Sequence, residues 1–238
     1  MYKKPSLPKQ VLIYIGMTVV ALIFMFPLIW MIVSSFKDDA MIFSDITSLK
    51  AFAPAFKEDV FFNYKEVISK LPLVKAMLNS LSYIIVIIAL GLIVNSMAGY
   101  AFARLKFPKK NLLFALILAV MIIPAQTVML PQFSIIYKMG LSNSYLALVL
   151  PLAKLVYATV GILVFIACWN DFVWPVMVIS DSSKQTIQMA LSSLFSIQPV
   201  NYGNVMAGLT LVTIPVLIIF LSLQKYYVAG IASTGAKN

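Results

Sequence analysis

Few side chains in this sequence have the chemistry to act as catalysts or metal ligands. The 238 residues include no histidine and one cysteine, Cys168. Imidazole catalysis, an internal disulfide and a metal site of His and Cys ligands therefore lack their residues. No glycine-rich phosphate-binding loop occurs either. The sequence predicts a protein that is not an enzyme and holds no cofactor or metal of its own.

The polar positions of interest instead interrupt long apolar stretches. Asn95, Gln126 and Asn170 contribute amides, and Pro124 removes a backbone donor and frees a carbonyl group. A polar or helix-breaking position in such a stretch is costly unless it faces protein or water. These four residues are therefore candidates for lining or shaping a polar path, although packing between helices explains each of them as well.

Asp171 lies in a second kind of setting, the segment WNDFVWP at 169–175. Tryptophan favours the boundary between lipid and water, and a carboxylate is costly in mid-bilayer. The segment therefore marks a helix end near water, or else Asp171 is a functional carboxylate.

The composition predicts the elements that must position these residues. Hydrophobic residues make up 62% of the chain, charged residues 11%, and the mean hydropathy is +0.97. A membrane-spanning helix needs roughly 20 apolar residues. Apolar blocks of the required kind occupy 11–36, 76–103, 111–137, 155–180 and 185–224. The predicted fold is all-α, a polytopic transmembrane helix bundle with five clear spans in the cell membrane.

Charge predicts which side each connection faces. The formal net charge of +10 reflects the tendency of Lys and Arg to stay on the cytoplasmic side, and no nucleic acid is needed to explain it. The basic segments 1–10, 104–110 and 225–238 are predicted to be cytoplasmic. The predicted external loops are 37–75, where charges balance and a short amphipathic helix is expected near 63–69, and 181–203.

An ordered series of motifs resembles the inner-membrane permease subunits of carbohydrate ABC importers, in the branch that includes MalG of the maltose system. Each motif is weak alone, but the series extends through nearly the whole chain. The matching segments are FPLIW at 26–30, SSFK at 34–37, FNY at 62–64, NSMAGYAFARLKFP at 95–108, IPAQ at 123–126, LP at 130–131, GLSNSY at 140–145 and WNDF at 169–172.

This resemblance implies a six-span permease that forms a translocation pathway for a sugar, an oligosaccharide or a related polyol. The implied partners are a second permease subunit, cytoplasmic ATPase subunits that use the ATP, and an external substrate-binding protein. The residues expected to line the pathway are Asn95, Pro124, Gln126 and Asn170. Asp171 is the expected contact for the binding protein.

One family feature is missing. The family carries a cytoplasmic Glu-Ala-Ala loop between its fourth and fifth helices, which docks in a cleft of the ATPase. Here Pro151 is followed directly by Leu152, in a segment that resembles the start of the fifth helix, and no acidic residue lies between Glu66 and Asp171. The sequence therefore predicts that the coupling loop has been excised near Pro151.

The missing loop leaves two questions open. The basic N-terminal and C-terminal segments are both predicted to be cytoplasmic, which requires the chain to cross the membrane an even number of times. The sequence, however, has five clear apolar blocks. Either residues 141–180 cross twice without a polar turn, or they cross once and the last helix is inverted.

Two alternatives to a working permease also remain: a non-transporting remnant of internal deletion, and an ion-coupled carrier that would use Lys154 or Asp171.

Overall fold

The structure, a computed structural model, describes residues 6–43, 59–121, 125–150 and 161–235, and all regular elements in these ranges are helical. The α-helices are α1 (Leu7–Ser34), α2 (Asp39–Ile42), α3 (Phe62–Lys70), α4 (Leu73–Arg104), α5 (Lys110–Met121), α6 (Ala125–Lys138), α7 (Tyr145–Val149), α8 (Gly161–Trp169), α9 (Val173–Val178), α10 (Ile187–Ser196) and α11 (Tyr202–Gly235). A 3₁₀ turn occupies Ser182–Lys184.

Three of the described helices are long and apolar enough to cross a bilayer. They are α1, α4 and the first 21 residues of α11, Tyr202–Ser222. Their exposed side chains are largely aliphatic or aromatic, which suits contact with lipid. The predicted all-α membrane fold is confirmed, and the short helix expected near 63–69 is present as α3.

The described residues divide into two compact units. Unit 1 draws on residues 1–70 and 194–213 and contains α1, α2, α3 and the start of α11. In α1, Pro8 occupies the first turn, where its missing N–H would have no helical partner. The apolar body of α1 is exposed, and burial begins only at its exit, where Ser34, Ser35 and Lys37 are buried. The organised part of unit 1 is therefore the region that follows α1.

Unit 2 draws on residues 71–193 and 214–238 and is built around α4. The buried side of α4 follows helical spacing, so one stripe faces the core. Its members are Leu73, Ala76, Asn79, Ser80, Tyr83, Ile84, Ile87 and Gly91. Both α7 and α8 pack against α4, and α9 packs against α6 and α7.

Some predicted boundaries differ from the structure. Residues 161–180 of the block at 155–180 do not form one continuous helix, because α8 ends at Trp169 and α9 begins at Val173. Helix α11 continues through residue 235, well beyond the predicted end of its apolar block. The external loop expected at 181–203 contains α10. Pro124 and the Pro151 junction lie outside the described residues.

Candidate functional site

In unit 1, the Asn63 side chain joins two segments that are distant in sequence. Its amide nitrogen donates hydrogen bonds to the backbone carbonyl oxygens of Ser35, at 2.9 Å, and Lys37, at 2.8 Å. The Ser35 hydroxyl lies 2.6 Å from the Tyr64 hydroxyl. These bonds satisfy carbonyl groups at the exit of α1, where the helix itself offers no donor. They fix the first turn of α3 against that exit.

Gly203, in the first turn of α11, completes this junction. A Cβ atom at Gly203 would lie 2.6 Å from the Asn63 amide nitrogen and 2.9 Å from the Lys37 carbonyl oxygen. Both distances are shorter than contacts between real side chains, so the junction closes only around glycine. The Tyr202 backbone N–H also donates to the Asp39 carboxylate. The start of α11 is therefore held by both α3 and the chain that follows α1.

A cleft of about 340 Å³ adjoins the Asn63 junction within unit 1. Its polar lining comes from α2, α3, the segment that joins α10 to α11, and the first turn of α11, and consists of Asp39, Glu66, Lys70, Gln198, Asn201 and Asn204. Lys70 forms an ion pair with Glu66. Asn204 is 3% exposed, and its side-chain oxygen accepts no hydrogen bond within the described part of the chain. The cleft therefore offers both donors and acceptors of hydrogen bonds.

Unit 2 has its own polar junction, centred on Asn79 near the start of α4. The Asn79 amide nitrogen donates to the carbonyl oxygens of Ser183, at 3.1 Å, and Gln185, at 3.0 Å. Its oxygen accepts a hydrogen bond from the Tyr145 hydroxyl at 2.9 Å. The neighbouring Ser80 hydroxyl accepts from the Ile187 backbone N–H at 2.8 Å. One turn of α4 thus binds α7, the 3₁₀ turn and α10.

Asn143 makes a second junction in unit 2. Its side-chain oxygen accepts from the backbone N–H groups of Ser180 and Asp181, the latter at 3.0 Å. The Lys184 ammonium group donates to its backbone oxygen at 2.6 Å. Asn143 has a φ of +60°, a left-handed conformation that asparagine tolerates better than most residues. The turn before α7 is therefore pinned to the turn after α9.

Asp181 is held in place by its own turn. Its carboxylate accepts a hydrogen bond from the Ser183 backbone N–H at 2.8 Å. This bond lowers the pKa of Asp181 below its ordinary value, with a smaller contribution from the charge of Lys184. Asp181 therefore stays ionised at neutral pH and caps the 3₁₀ turn.

Of the four pathway residues predicted from the sequence, the structure describes Asn95, Gln126 and Asn170. Asn95 and Asn170 each donate to the carbonyl oxygen one turn earlier in the chain, that of Gly91 at 2.7 Å and that of Ile166 at 2.8 Å. Gln126 is exposed on α6. In the part of the chain that the structure describes, no hydrogen bond connects these three side chains. Their role in a pathway stays a prediction.

Asp171 is half-buried between α8 and α9. Its carboxylate lies 3.4 Å from the Trp174 backbone nitrogen, which donates to it at the start of α9. This local bond supports the expectation that the segment marks a helix end. Contact between Asp171 and a binding protein stays a prediction.

The organising residues that sequence reasoning missed are Asn79 and Asn143. Both carried a usable signal, since Asn79 precedes a small serine at the outer edge of an apolar block and Asn143 lies in the GLSNSY motif. Hydropathy alone does not separate them from Asn95, because all three are amides near apolar residues. Their partners are 37 to 106 positions away in sequence, and only the fold reveals them.

Comparison with known proteins shows what the chain is similar to. No family model matches the chain. It is 27% identical over 282 aligned positions to the arabinooligosaccharides transport system permease protein AraQ of Halalkalibacterium halodurans, covering 100% of both chains. It is 26% identical to the lactose transport system permease protein LacG of Rhizobium radiobacter, covering 91% of this chain and 93% of that one.

A third relative and a solved structure agree with these two. The trehalose/maltose transport system permease protein MalG of Thermococcus litoralis is 25% identical and covers 97% of this chain and 98% of its own length. A chain of a bacterial ABC transporter involved in the import of alginate superposes with a TM-score of 0.77 at 16% identity, covering 95% of this chain and 100% of that one. The relatives are transport permeases, not enzymes. The chain is therefore a multi-pass membrane protein and a MalG-like homologue of the permease subunits of carbohydrate ABC importers.

Proposed function

We propose that the chain serves as a membrane permease subunit of an ABC importer for a carbohydrate, such as an oligosaccharide. The observation that carries this proposal is the end-to-end similarity to permeases named for lactose, arabinooligosaccharides and trehalose or maltose. In this role the chain contributes part of the translocation pathway. A second permease subunit contributes the rest, an external binding protein delivers the sugar, and cytoplasmic ATPase subunits use the ATP.

We propose that the loss of the coupling loop, which the sequence predicts, sets a limit on this function. The alignment with AraQ includes the whole of both chains over 282 positions, whereas this chain has 238 residues, so at least 44 positions lack a residue here. That difference supports an excision of the size that a coupling loop and adjoining helix would require. An ATPase shifts a membrane bundle between two states only through a contact that differs between them. We therefore propose that ATP hydrolysis is poorly coupled to transport in this chain.

The predicted loss of the loop also favours a second candidate, a non-transporting remnant. The two candidates differ in assembly, because a subunit needs stable contact with its partners and a remnant does not. Co-expression with the second permease and the ATPase, followed by affinity purification in mild detergent, separates them. Recovery of a stoichiometric complex supports the subunit, and recovery of the chain alone supports the remnant.

Uptake of labelled sugars tests the proposed substrate class. A loop-restored variant carries the coupling segment of an intact relative between Pro151 and Leu152. We expect cells that express this variant with its partners to take up a labelled disaccharide or oligosaccharide in a manner that depends on the binding protein. If the assembled, loop-restored complex imports amino acids or ions but no carbohydrate, the proposed substrate class is wrong.

A further inference from the structure

We propose that the turn between α4 and α5 binds the phosphate headgroup of an anionic phospholipid. We call residues 104–110 the basic turn, because four of these seven residues are Arg104, Lys106, Lys109 and Lys110. The proposal rests on the geometry of unit 2 and does not depend on the proposed transport function. It assigns a ligand to charges that the sequence explains only by the side of the membrane on which they lie.

The cations of the basic turn are not neutralised by carboxylates. No acidic residue lies between Glu66 and Asp171 in the sequence, and within the described ranges none of the four cations forms an ion pair. Arg104, Lys106 and Lys109 are exposed. Like charges placed close together create a positive potential larger than that of one lysine. The basic turn therefore attracts an anion more strongly than an isolated surface cation does.

Three phenylalanine rings hold the basic turn against its two helices. Phe102 of α4 packs edge-to-face on Phe107 in the turn, and it also contacts Phe114 of α5, with ring centroids 5.6 Å apart in both pairs. The Lys110 ammonium group donates to the Leu105 carbonyl oxygen at 3.4 Å. The cations thus belong to a packed turn, so less conformational entropy is lost when they bind a ligand together.

The surroundings of the basic turn favour a lipid over a soluble anion. Leu105 is 49% exposed among the cations, and every residue from 111 to 117 on α5 is exposed. Six of these seven α5 residues are aliphatic or aromatic, a surface that suits acyl chains. A phospholipid carries a phosphate group and acyl chains in one molecule, so it covers both parts of this continuous surface. A soluble phosphate leaves the apolar part uncovered.

The position of the basic turn in the sequence also suits a headgroup. It lies between the apolar blocks 76–103 and 111–137, on the predicted cytoplasmic side, and thus at the boundary between hydrocarbon and water. Each Lys or Arg at an anionic inner leaflet strengthens binding about fivefold. Arg104 adds a planar guanidinium group, which is able to form two parallel hydrogen bonds to one phosphate.

Lipid binding by the purified full chain tests the proposal. The protein in dodecyl maltoside is titrated with dioleoylphosphatidylglycerol or dioleoylphosphatidylcholine, and native mass spectrometry counts the lipids retained. The test variant combines Arg104→Gln, Lys106→Gln and Lys109→Asn, because asparagine tolerates the φ of +60° at residue 109. We expect the native chain to prefer phosphatidylglycerol, and the variant to bind it at least about tenfold more weakly.

A matched control removes three exposed cations from the opposite, predicted external side of the membrane. It combines Lys65→Gln, Lys75→Gln and Lys138→Gln, so its net charge equals that of the test variant. We expect this control to bind phosphatidylglycerol as the native chain does. Equal weakening in both variants would show attraction by net charge alone, and it would overturn the proposed site.

Two further arms distinguish the lipid from other anionic ligands. Glycerol 1-phosphate carries the phosphate without acyl chains, and we expect it not to displace phosphatidylglycerol; displacement would show a site for soluble phosphates and contradict the proposal. The second arm is co-purification with the ATPase subunit. If the test variant keeps its affinity for phosphatidylglycerol but no longer co-purifies with the ATPase, the basic turn serves a protein and the proposal is wrong.

Cross-linking of the native chain keeps the proposal testable even if the test variant does not fold. The protein is placed in nanodiscs that contain phosphatidylcholine and a phosphatidylglycerol with a photoactivatable headgroup, and the cross-linked peptides are identified. We expect cross-links to concentrate in residues 102–114 and to decrease at high salt, because salt screens exposed charges. Cross-links spread evenly among the predicted cytoplasmic segments would overturn the proposal and leave the family and the proposed function intact.

Discussion

The Asn63 side chain donates a 2.9 Å hydrogen bond to the Ser35 carbonyl oxygen, across 28 residues of sequence. The same amide nitrogen binds the Lys37 carbonyl oxygen, and Asn63 itself is buried. One amide thus satisfies two carbonyl groups at the exit of α1. The motif segments SSFK and FNY, which are separate in sequence, form one structural junction in unit 1.

Replacement of Asn63 by alanine should destabilise unit 1. The change leaves two buried carbonyl oxygens without their donor, and each such loss costs about 1–3 kcal/mol. Thermal unfolding of the detergent-solubilised protein measures the effect. Lys65→Ala is the matched control on the same helix, because its ion pair with Asp59 is exposed and contributes little. Equal melting temperatures for the two variants would contradict the role given to Asn63.

Replacement of Gly203 by alanine should also lower the melting temperature, but through a clash. The added Cβ lies 2.6 Å from the Asn63 amide nitrogen, so the Asn63 side chain or the start of α11 must shift. Gly16→Ala is the control, since no atom lies within 4 Å of that Cβ and alanine favours a helix. Asn63→Ala combined with Gly203→Ala should cost less than the sum of the single changes. Strict additivity would show that the two residues do not interact.

The two asparagines of α4 provide a paired test of unit 2. Asn79→Ala removes three long-range hydrogen bonds, and we expect a loss of about 2–3 kcal/mol because partly buried partners are left unsatisfied. Asn95→Ala removes one bond within its own helix turn and should cost under about 1 kcal/mol. Unfolding midpoints of both variants should therefore differ clearly. If Asn95→Ala lowered the free energy of unfolding more than Asn79→Ala, Asn79 would not be the amide that holds unit 2 together.

These contrasts also show what the sequence was able to predict. The all-α membrane class, the long helices α1 and α4, and the amphipathic helix α3 follow from hydropathy and its spacing, which report burial averaged over a segment. The end of α8 at Trp169 agrees with the helix end that the tryptophans and Asp171 of 169–175 predict, whereas the short helix α9, which begins at Val173, does not follow from hydropathy. The bonds from Asn143 to Ser180 and Asp181, which hold that region, depend on contacts between distant segments.

The choice of site residues shows the same limit. An amide in an apolar block indicates that a partner is needed, but the sequence does not say whether the partner is distant or local. Asn95 and Asn170 find theirs one turn earlier in the chain, whereas Asn79 finds its partners more than 60 residues away. A polar position in a predicted span is therefore equally compatible with a pathway, a junction or a local bond until the fold is known.

Asn143 allows the backbone and side-chain contributions to the second junction to be separated. Its φ of +60° suits glycine, so Asn143→Gly keeps the turn and removes only the side-chain bonds. Asn143→Ala removes the same bonds and adds about 1 kcal/mol or more of backbone strain. Melting temperatures should fall in the order native, Asn143→Gly, Asn143→Ala. If Asn143→Gly melts with the native protein, the side-chain bonds to residues 180 and 181 do not stabilise the turn.

The most direct test of the account compares ATP-dependent sugar uptake by the native chain and the loop-restored variant. Each is reconstituted in proteoliposomes with the same second permease, ATPase and binding protein, and sugar imported per ATP hydrolysed is measured. We expect loop restoration to raise this ratio at least about tenfold, because the ATPase regains the contact through which it shifts the membrane bundle. Equal ratios for two fully assembled complexes would contradict the claim that this permease homologue lacks its coupling contact.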